Sequence, residues 1–228
     1  MSTAVVVVAI VVLGILVLIA VLSYRANKKR QQAFTAWAAT HGWTYATRDD
    51  SYQDMPWGAP FGTGSGRAAF DVLKGSWGDH PALCFTYRYQ TESSNGKSRQ
   101  TNDHWFAIYS LHLPRSLPDL RVSREGILSS IARKIGIHDI EFESEDFNRE
   151  FKVKADDRRF AYDVVNPPMM QLLLDNPMNA DADGFVIVGP DIVHTRSGRL
   201  TPEDVEPGLT YLARIVEHIP SFVWDADR

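Results

Sequence analysis

The 228-residue chain is 44% apolar, 11% aromatic and 23% charged, with a formal net charge of −4. That length and the even spread of aromatic residues mark a folded chain holding one sizeable domain or two small ones, not a disordered tail. The charge is uneven: residues 1–30 carry four basic and no acidic side chains, whereas residues 141–228 carry nine basic against 18 acidic, a balance that repels phosphate backbones and argues against nucleic-acid binding.

The run Ala4–Leu22, AVVVVAIVVLGILVLIAVL, is 19 residues without a charged or strongly polar side chain. As a helix it is about 28 Å long, close to the ~30 Å hydrocarbon core of a bilayer. Valine is a mediocre helix former in water, but in lipid an unpaired backbone costs more than lost rotamer freedom, so helix wins. A cleaved secretory signal would need a basic leader, a shorter apolar core and small residues at its end. Here Tyr24-Arg25 follows the run and nothing basic precedes it. Residues 4–22 therefore read as a transmembrane helix whose partner is the lipid bilayer. Arg25, Lys28, Lys29 and Arg30 follow the span, so the positive-inside rule places the amino terminus outside and residues 43–228 in the cytoplasm. A lone Cys84 agrees with a reducing compartment. Gly14 is the only glycine of the run, so a GxxxG dimer seam is absent.

Residues 23–42 read as a basic juxtamembrane helix, with Phe34, Trp37 and Ala38 at helical spacing and Gly42 as its stop. Trp43–Thr47 reads as a short strand, and Arg48–Arg67 as a loop rich in glycine and proline. Ala69–Gly75, Ala82–Gln90 and Asp103–Leu113 are β-branched or aromatic runs that predict an antiparallel meander, with Ser94-Asn95-Gly96 at a hairpin tip. In the second, Leu83, Phe85, Tyr87 and Tyr89 share one face, opposite Cys84, Thr86, Arg88 and Gln90; in the third, Trp105, Ala107, Tyr109 and Leu111 oppose Phe106, Ile108, Ser110 and His112.

Beyond the meander, Arg124–Ile135 has helical periodicity ending at Gly136, and strands are expected near Ile140–Glu143 and Phe151–Lys154. Asp156 or Asp157 can cap a helix through Val164, and Pro167–Leu174 gives another. Phe185–Val188 and Ile192–Thr195 predict a hairpin around Gly189-Pro190. Thr201-Pro202-Glu203-Asp204 predicts the capped start of a helix running to His218. Strands grouped before helices, without regular alternation, give an α+β class for residues 43–228, with a possible subdivision near 140.

Chemistry-bearing patterns are sparse. Gly58 to Arg67 offers four glycines and a cation that can cradle a phosphate, yet lacks the lysine and following helix of a P-loop; a flexible connection is the simpler reading. His41, His80, His104, His112, His138, His194 and His218 share no metal-ligand spacing with one another or with Cys84. Cys84 reads as a small core residue, and Met169-Met170 as core packing. Asp49-Asp50, Asp156-Asp157 and the group Glu141, Glu143, Glu145 and Asp146 are paired carboxylates that more often cap helices than share a cation. Asp181-Ala-Asp183-Gly184 opens like a calcium loop but lacks its closing glutamate. No catalytic, cofactor-binding or metal-binding residue is assigned, and no cofactor is implied.

Glu145-Asp-Phe-Asn-Arg-Glu-Phe-Lys-Val-Lys-Ala-Asp-Asp157, continuing through Phe160-Ala-Tyr and Pro168-Met-Met to Leu172, resembles the FNxxFxV…DD signature of bacterial membrane-associated proteins of unknown function. Arg48-Asp-Asp-Ser, Pro60-Phe-Gly-Thr-Gly and Phe85-Thr-Tyr are similar to the front half of small actinobacterial membrane proteins. The resemblance covers most of residues 45–224. It implies a membrane address and an architecture, and no activity.

The expected function is a single-pass protein that presents a cytoplasmic binding or scaffold domain. One alternative is an enzyme at the membrane surface with a constellation among Asp49, Asp50, His80 and His104. Another is recognition of anionic lipid by the juxtamembrane helix and the Gly58–Arg67 loop.

Overall fold

The chain begins with one uninterrupted helix, α1 (Thr3–His41), about 58 Å long at 1.5 Å per residue. The computed structural model describes residues 3–94, 99–124, 138–175 and 184–225. Leu13, Leu16, Ile19 and Leu22 are each more than half exposed. A helix that is apolar all round belongs in a protein core or in lipid, and this half of α1 has no core around it; it is long and apolar enough to cross a membrane. The second half changes character. Phe34 and Ala38 are buried against the domain, and Gly42, at φ +70°, ends the helix as its position predicts.

β1 (Thr44–Arg48), β2 (Ser65–Trp77), β3 (His80–Ser94) and β4 (Arg99–Arg124) form the expected antiparallel meander, with strands longer than their apolar runs. The β3–β4 hairpin is paired out to Ser94 and Arg99; the rest of its expected tip lies outside the described residues. β5 (His138–Ile140), β6 (Phe151–Ala155) and β7 (Phe185–Ser197) join the same sheet. β4 is its spine. Its residues 106–111 pair with β3 on one edge and β7 on the other, and by Leu120 the β3 edge has passed to β6. Pro114 and Pro118 lie where the handover occurs. Neither can donate to a ladder, and the register with β7 shifts between His112 and Leu120.

The alternation read along β3 and β4 is observed, with both faces covered. One face (Cys84, Ala107, Tyr109, Leu111) packs with Phe34 of α1 and with the later helices: α2 (Glu145–Glu150), α3 (Arg158–Val164), α4 (Pro167–Asp175) and α5 (Pro202–His218). The opposite face (Phe85, Tyr87, Ile108, with Val193 of β7) is roofed by Trp57 and Phe61. Helices on one side and a loop on the other make an α+β architecture.

Several expectations need correction. The predicted hairpin at Gly189-Pro190 is a single strand, β7, which runs through that dipeptide; Gly189, at φ +57°, lies opposite Leu117, so both strands bend together. The strand near 140 ends at Ile140 instead of extending to Glu143. The acidic stretch after it opens α2, a six-residue helix capped by Ser144, whose hydroxyl accepts from the Phe147 amide at 3.3 Å. Arg124 closes β4, and the rest of the helix expected over Arg124–Ile135 lies outside the described residues, as do Asp181 and Asp183. Asp157 is the cap of α3, accepting from the Arg159 and Phe160 amides at 2.8 and 3.2 Å. At α5 the Thr201 hydroxyl donates to Asp204 at 2.8 Å and does not cap; Pro202 and the first-turn acids specify that start.

Candidate functional site

Asp71 lies in the middle of the apolar stretch Ala-Ala-Phe-Asp-Val-Leu of β2 and is buried. Phe70 pairs with Thr86 and Leu73 with Cys84, so β2 carries one extra residue there, a β-bulge, and Asp71 adopts φ +51°. Aspartate tolerates that left-handed conformation better than most residues. The bulge reverses the strand's alternation, leaving Val72 with the Trp57 side and Leu73 with the helix side. It also aims the carboxylate at α1. Arg30 Nη2 lies 3.2 Å from Asp71 Oδ2, and the Tyr45 hydroxyl donates to Oδ1 at 2.9 Å. Burial raises the Asp71 pKa above the ordinary carboxylate range even with Arg30 beside it, and burial followed by the Asp71 charge raises that of the Tyr45 phenol. The Phe34 ring stacks on Tyr45 at 5.5 Å. These contacts clamp α1 to the sheet about two to three turns beyond the apolar run.

The clamp changes the reading of the basic cluster. Arg25, Lys28 and Lys29 remain exposed, but Arg30 is turned into the domain.

The residues proposed from sequence as an active constellation do not converge. Asp49 caps the short 3-10 helix Asp50–Tyr52, accepting from the Ser51 hydroxyl at 2.6 Å, and meets Lys74 at 3.2 Å. Asp50 is held by Arg48, whose Nε donates at 2.8 and 2.9 Å and whose hydrogen bonding lowers the Asp50 pKa. His80 contacts the His112 carbonyl at 3.0 Å, whereas His104 meets Thr91 at 2.8 Å and stacks on Tyr89 at 4.7 Å. Tyr89 pairs with His104, and nine residues of extended strand from His80 to Tyr89 span roughly 30 Å.

The other histidines serve local packing. His41 stacks on Trp37 and pairs with Glu206, His112 pairs with Asp191, and His218 bonds the Arg214 carbonyl. His194 is buried between the Tyr109 and Tyr211 rings, with Nδ1 2.8 Å from the Gly184 carbonyl. The Cys84 thiol is fully buried, which raises its pKa. Among the described residues, no three of His, Cys, Asp and Glu gather to hold a metal ion.

The Gly58–Arg67 segment is a packed roof and not a loose connection. Trp57 and Phe61 are buried, and Phe61 lies 4.4 Å from the Tyr87 ring. The Trp57 indole donates to Asp191 at 3.1 Å, and its carbonyl accepts from Arg121 at 3.0 Å. Gly64, at φ +61°, lets the chain lie against the Gln90 backbone where any side chain would collide. Arg67 is paired with Asp54 at 3.0 Å. The glycines serve turns and close approach, and the cation has a carboxylate already.

Asp71 is not among the residues that motif and spacing single out in the sequence. Its signal was a lone carboxylate inside an apolar strand, which costs free energy unless paired.

No family model matches the chain, and no curated protein sequence does. Its fold matches the crystal structure of the mycobacterial trehalose monomycolate transport factor A, TtfA, with a TM-score of 0.62 at 13% identity, covering 86% of this chain and 97% of that one. At that identity the likeness shows a shared fold.

Proposed function

We propose that the chain is a single-pass membrane protein whose α+β domain is held on the cytoplasmic side as a docking scaffold for a transport process at the membrane. The observation that carries this reading is the continuity of α1, from a bare apolar half into a half fastened by Arg30, Phe34 and Ala38. A helix without a break transmits position, so the domain has a set height and orientation instead of a flexible tether. The exposed cations Arg25, Lys28 and Lys29, just after the apolar run, support a cytoplasmic domain. The transport context comes from the name of the structural counterpart. The roughly 30 Å between His80 and His104, with Asp49 and Asp50 each engaged by local partners, removes the main support for an enzyme reading.

Orientation is tested in intact cells with single cysteines introduced into a Cys84→Ala background. A membrane-impermeant maleimide should label Ser2→Cys from outside and spare Arg214→Cys; the reverse pattern refutes a cytoplasmic domain. The scaffold role is tested by photo-crosslinking the intact protein in native membranes. Recovery of an integral membrane transporter supports it, and crosslinking no stronger than that of α1 alone refutes it.

A further inference from the structure

The sheet face that carries α1 continues past Asp71 toward the apolar half of the helix. Seven residues along α1, from Arg30 at Asp71 to Trp37 at Trp43, correspond to four residues of β2, because Trp43 packs on Gly75. These are advances of roughly 10 and 13 Å, so helix and strand are nearly aligned. Arg30 lies about 12 Å beyond Leu22. Arg88 is two residues past Thr86, the partner of Phe70, which brings it roughly 7 Å nearer the apolar run. That height is the headgroup layer, about 5–8 Å thick in each leaflet.

The side chains at that height are unusual for a protein surface. Trp105 pairs with Arg88 across β3 and β4, and the Arg199 guanidinium lies 3.5 Å from the centroid of the Trp105 ring. Arg88 lies 5.6 Å from the same ring and 5.5 Å from Phe70, and its Nη2 donates to the Gly66 carbonyl at 3.1 Å. Its Nε is buried without a hydrogen-bond partner, as is that of Arg30. The other arginines nearby are committed, Arg48 to Asp50 and Arg67 to Asp54. Among the described residues, neither Arg88 nor Arg199 has an ion-pair partner. The two carboxylates in reach of Arg199 are engaged: Asp71 by Arg30 and Tyr45, and Asp103 by the Gln90 amide at 2.9 Å. Burial and the nearby Arg30 charge lower the pKa of Arg199, while Asp71 and Asp103 oppose that shift. A bound anion would relieve both strains.

We propose that Arg88 and Arg199, held on Trp105, bind the phosphate of an anionic phospholipid headgroup in the leaflet from which α1 emerges. Planar guanidinium groups meet phosphate oxygens in pairs, and stacking on an indole orders them before binding. The proposal rests on the apolar half of α1 lying in the bilayer. It does not depend on any protein partner.

The test uses the full chain in neutral detergent micelles, titrated with short-chain phosphatidylglycerol, phosphatidylcholine of equal chain length, or inorganic phosphate, and read by tryptophan fluorescence. Phosphatidylglycerol should saturate, with phosphatidylcholine at least about tenfold weaker, a difference of about 1.4 kcal/mol. Arg88→Gln with Arg199→Gln should weaken phosphatidylglycerol about tenfold or more, whereas the matching double lysine variant should retain part of the affinity. Trp105→Leu, which keeps both cations, should weaken it several-fold through lost stacking. Thermal melting establishes that each variant is folded, and the comparison of lipids on the unaltered chain stands without them. Equal binding of the two lipids, indifference of the glutamine variant, or saturation by inorganic phosphate at the same concentrations would each overturn the assignment. Carbonate extraction separates the premises: a chain released from membranes refutes the anchor, and a chain retained but blind to headgroup refutes the site alone.

Discussion

Arg30 and Asp71 meet at 3.2 Å across 41 residues of sequence, joining the helix that carries the apolar run to a bulge in the second strand of the sheet. Asp71 is 1% exposed and Arg30 26%. Removing one partner of such a pair leaves the other charge stranded, a cost that for buried pairs is about 3–5 kcal/mol and is smaller here because Arg30 reaches solvent.

Asp71→Ala should therefore destabilise the domain by about 2–3 kcal/mol, from the lost pair together with a positive φ that alanine tolerates less well than aspartate. Arg30→Gln should cost less, and the double variant should cost less than the sum, which urea unfolding of all four proteins measures through the coupling energy. Purely additive effects would show that the pair does not couple.

Asp71 also makes a pH prediction. Its folded pKa is raised by burial, so between the unfolded value, about 3.9, and the folded one the native state holds more protons than the unfolded state. Its contribution is fully present below the unfolded pKa and is lost as pH rises through the folded pKa. Relative to Asp71→Asn, the natural protein should therefore lose stability on going from pH 4 upward, measured as the difference in unfolding midpoints. A difference that grows in its favour with pH would mean that Arg30 outweighs burial.

Gly208, in α5, sets two effects against each other. Alanine gains about 1 kcal/mol in helix propensity, but a β-carbon there would lie 2.7 Å from Cζ of Tyr109, whose ring is fully buried. Overpacking of a rigid ring costs about 1–3 kcal/mol or more. Gly208→Ala should thus lower the melting temperature, and Tyr109→Leu in the same chain should recover part of the loss.

Trp57 roofs the second core with its ring 3% exposed and its indole nitrogen 3.1 Å from Asp191. Trp57→Ala should destabilise by about 3–5 kcal/mol and admit solvent to Phe85 and Tyr87. Hydrogen exchange along β3 would report this opening. A free connecting loop would tolerate the substitution within about 0.5 kcal/mol.

Much of the architecture was legible along the chain because its causes are local. The apolar run, the stop at Gly42, the alternation through Phe85–Tyr87 and Ala107–Leu111, the cap at Asp157 and the helix start at Pro202 each depend on a few neighbouring residues. α2 is not legible along the chain because six residues carry too little periodicity to stand apart from an acidic stretch. Other features depend on partners far away. Gly189-Pro190 has the local chemistry of a turn, yet β7 continues through it with a bend because β4 bends alongside and pairs with it on both sides of the dipeptide. The glycines of Gly58–Arg67 have the composition of a linker, but Trp57 and Phe61 find a hydrophobic face only when the meander has formed. Arg30 belongs by sequence to a solvated basic cluster and by structure to Asp71, and Arg88, Trp105 and Arg199 become one site only when β3, β4 and the turn after β7 converge. Hydropathy and capping determine where helices and strands form, since water, lipid and the backbone act on them residue by residue. Which charges are paired and which are left without a partner is decided by tertiary structure, because an ion pair or a stacked guanidinium forms only when packing holds both groups at contact distance and excludes the water that would otherwise solvate them.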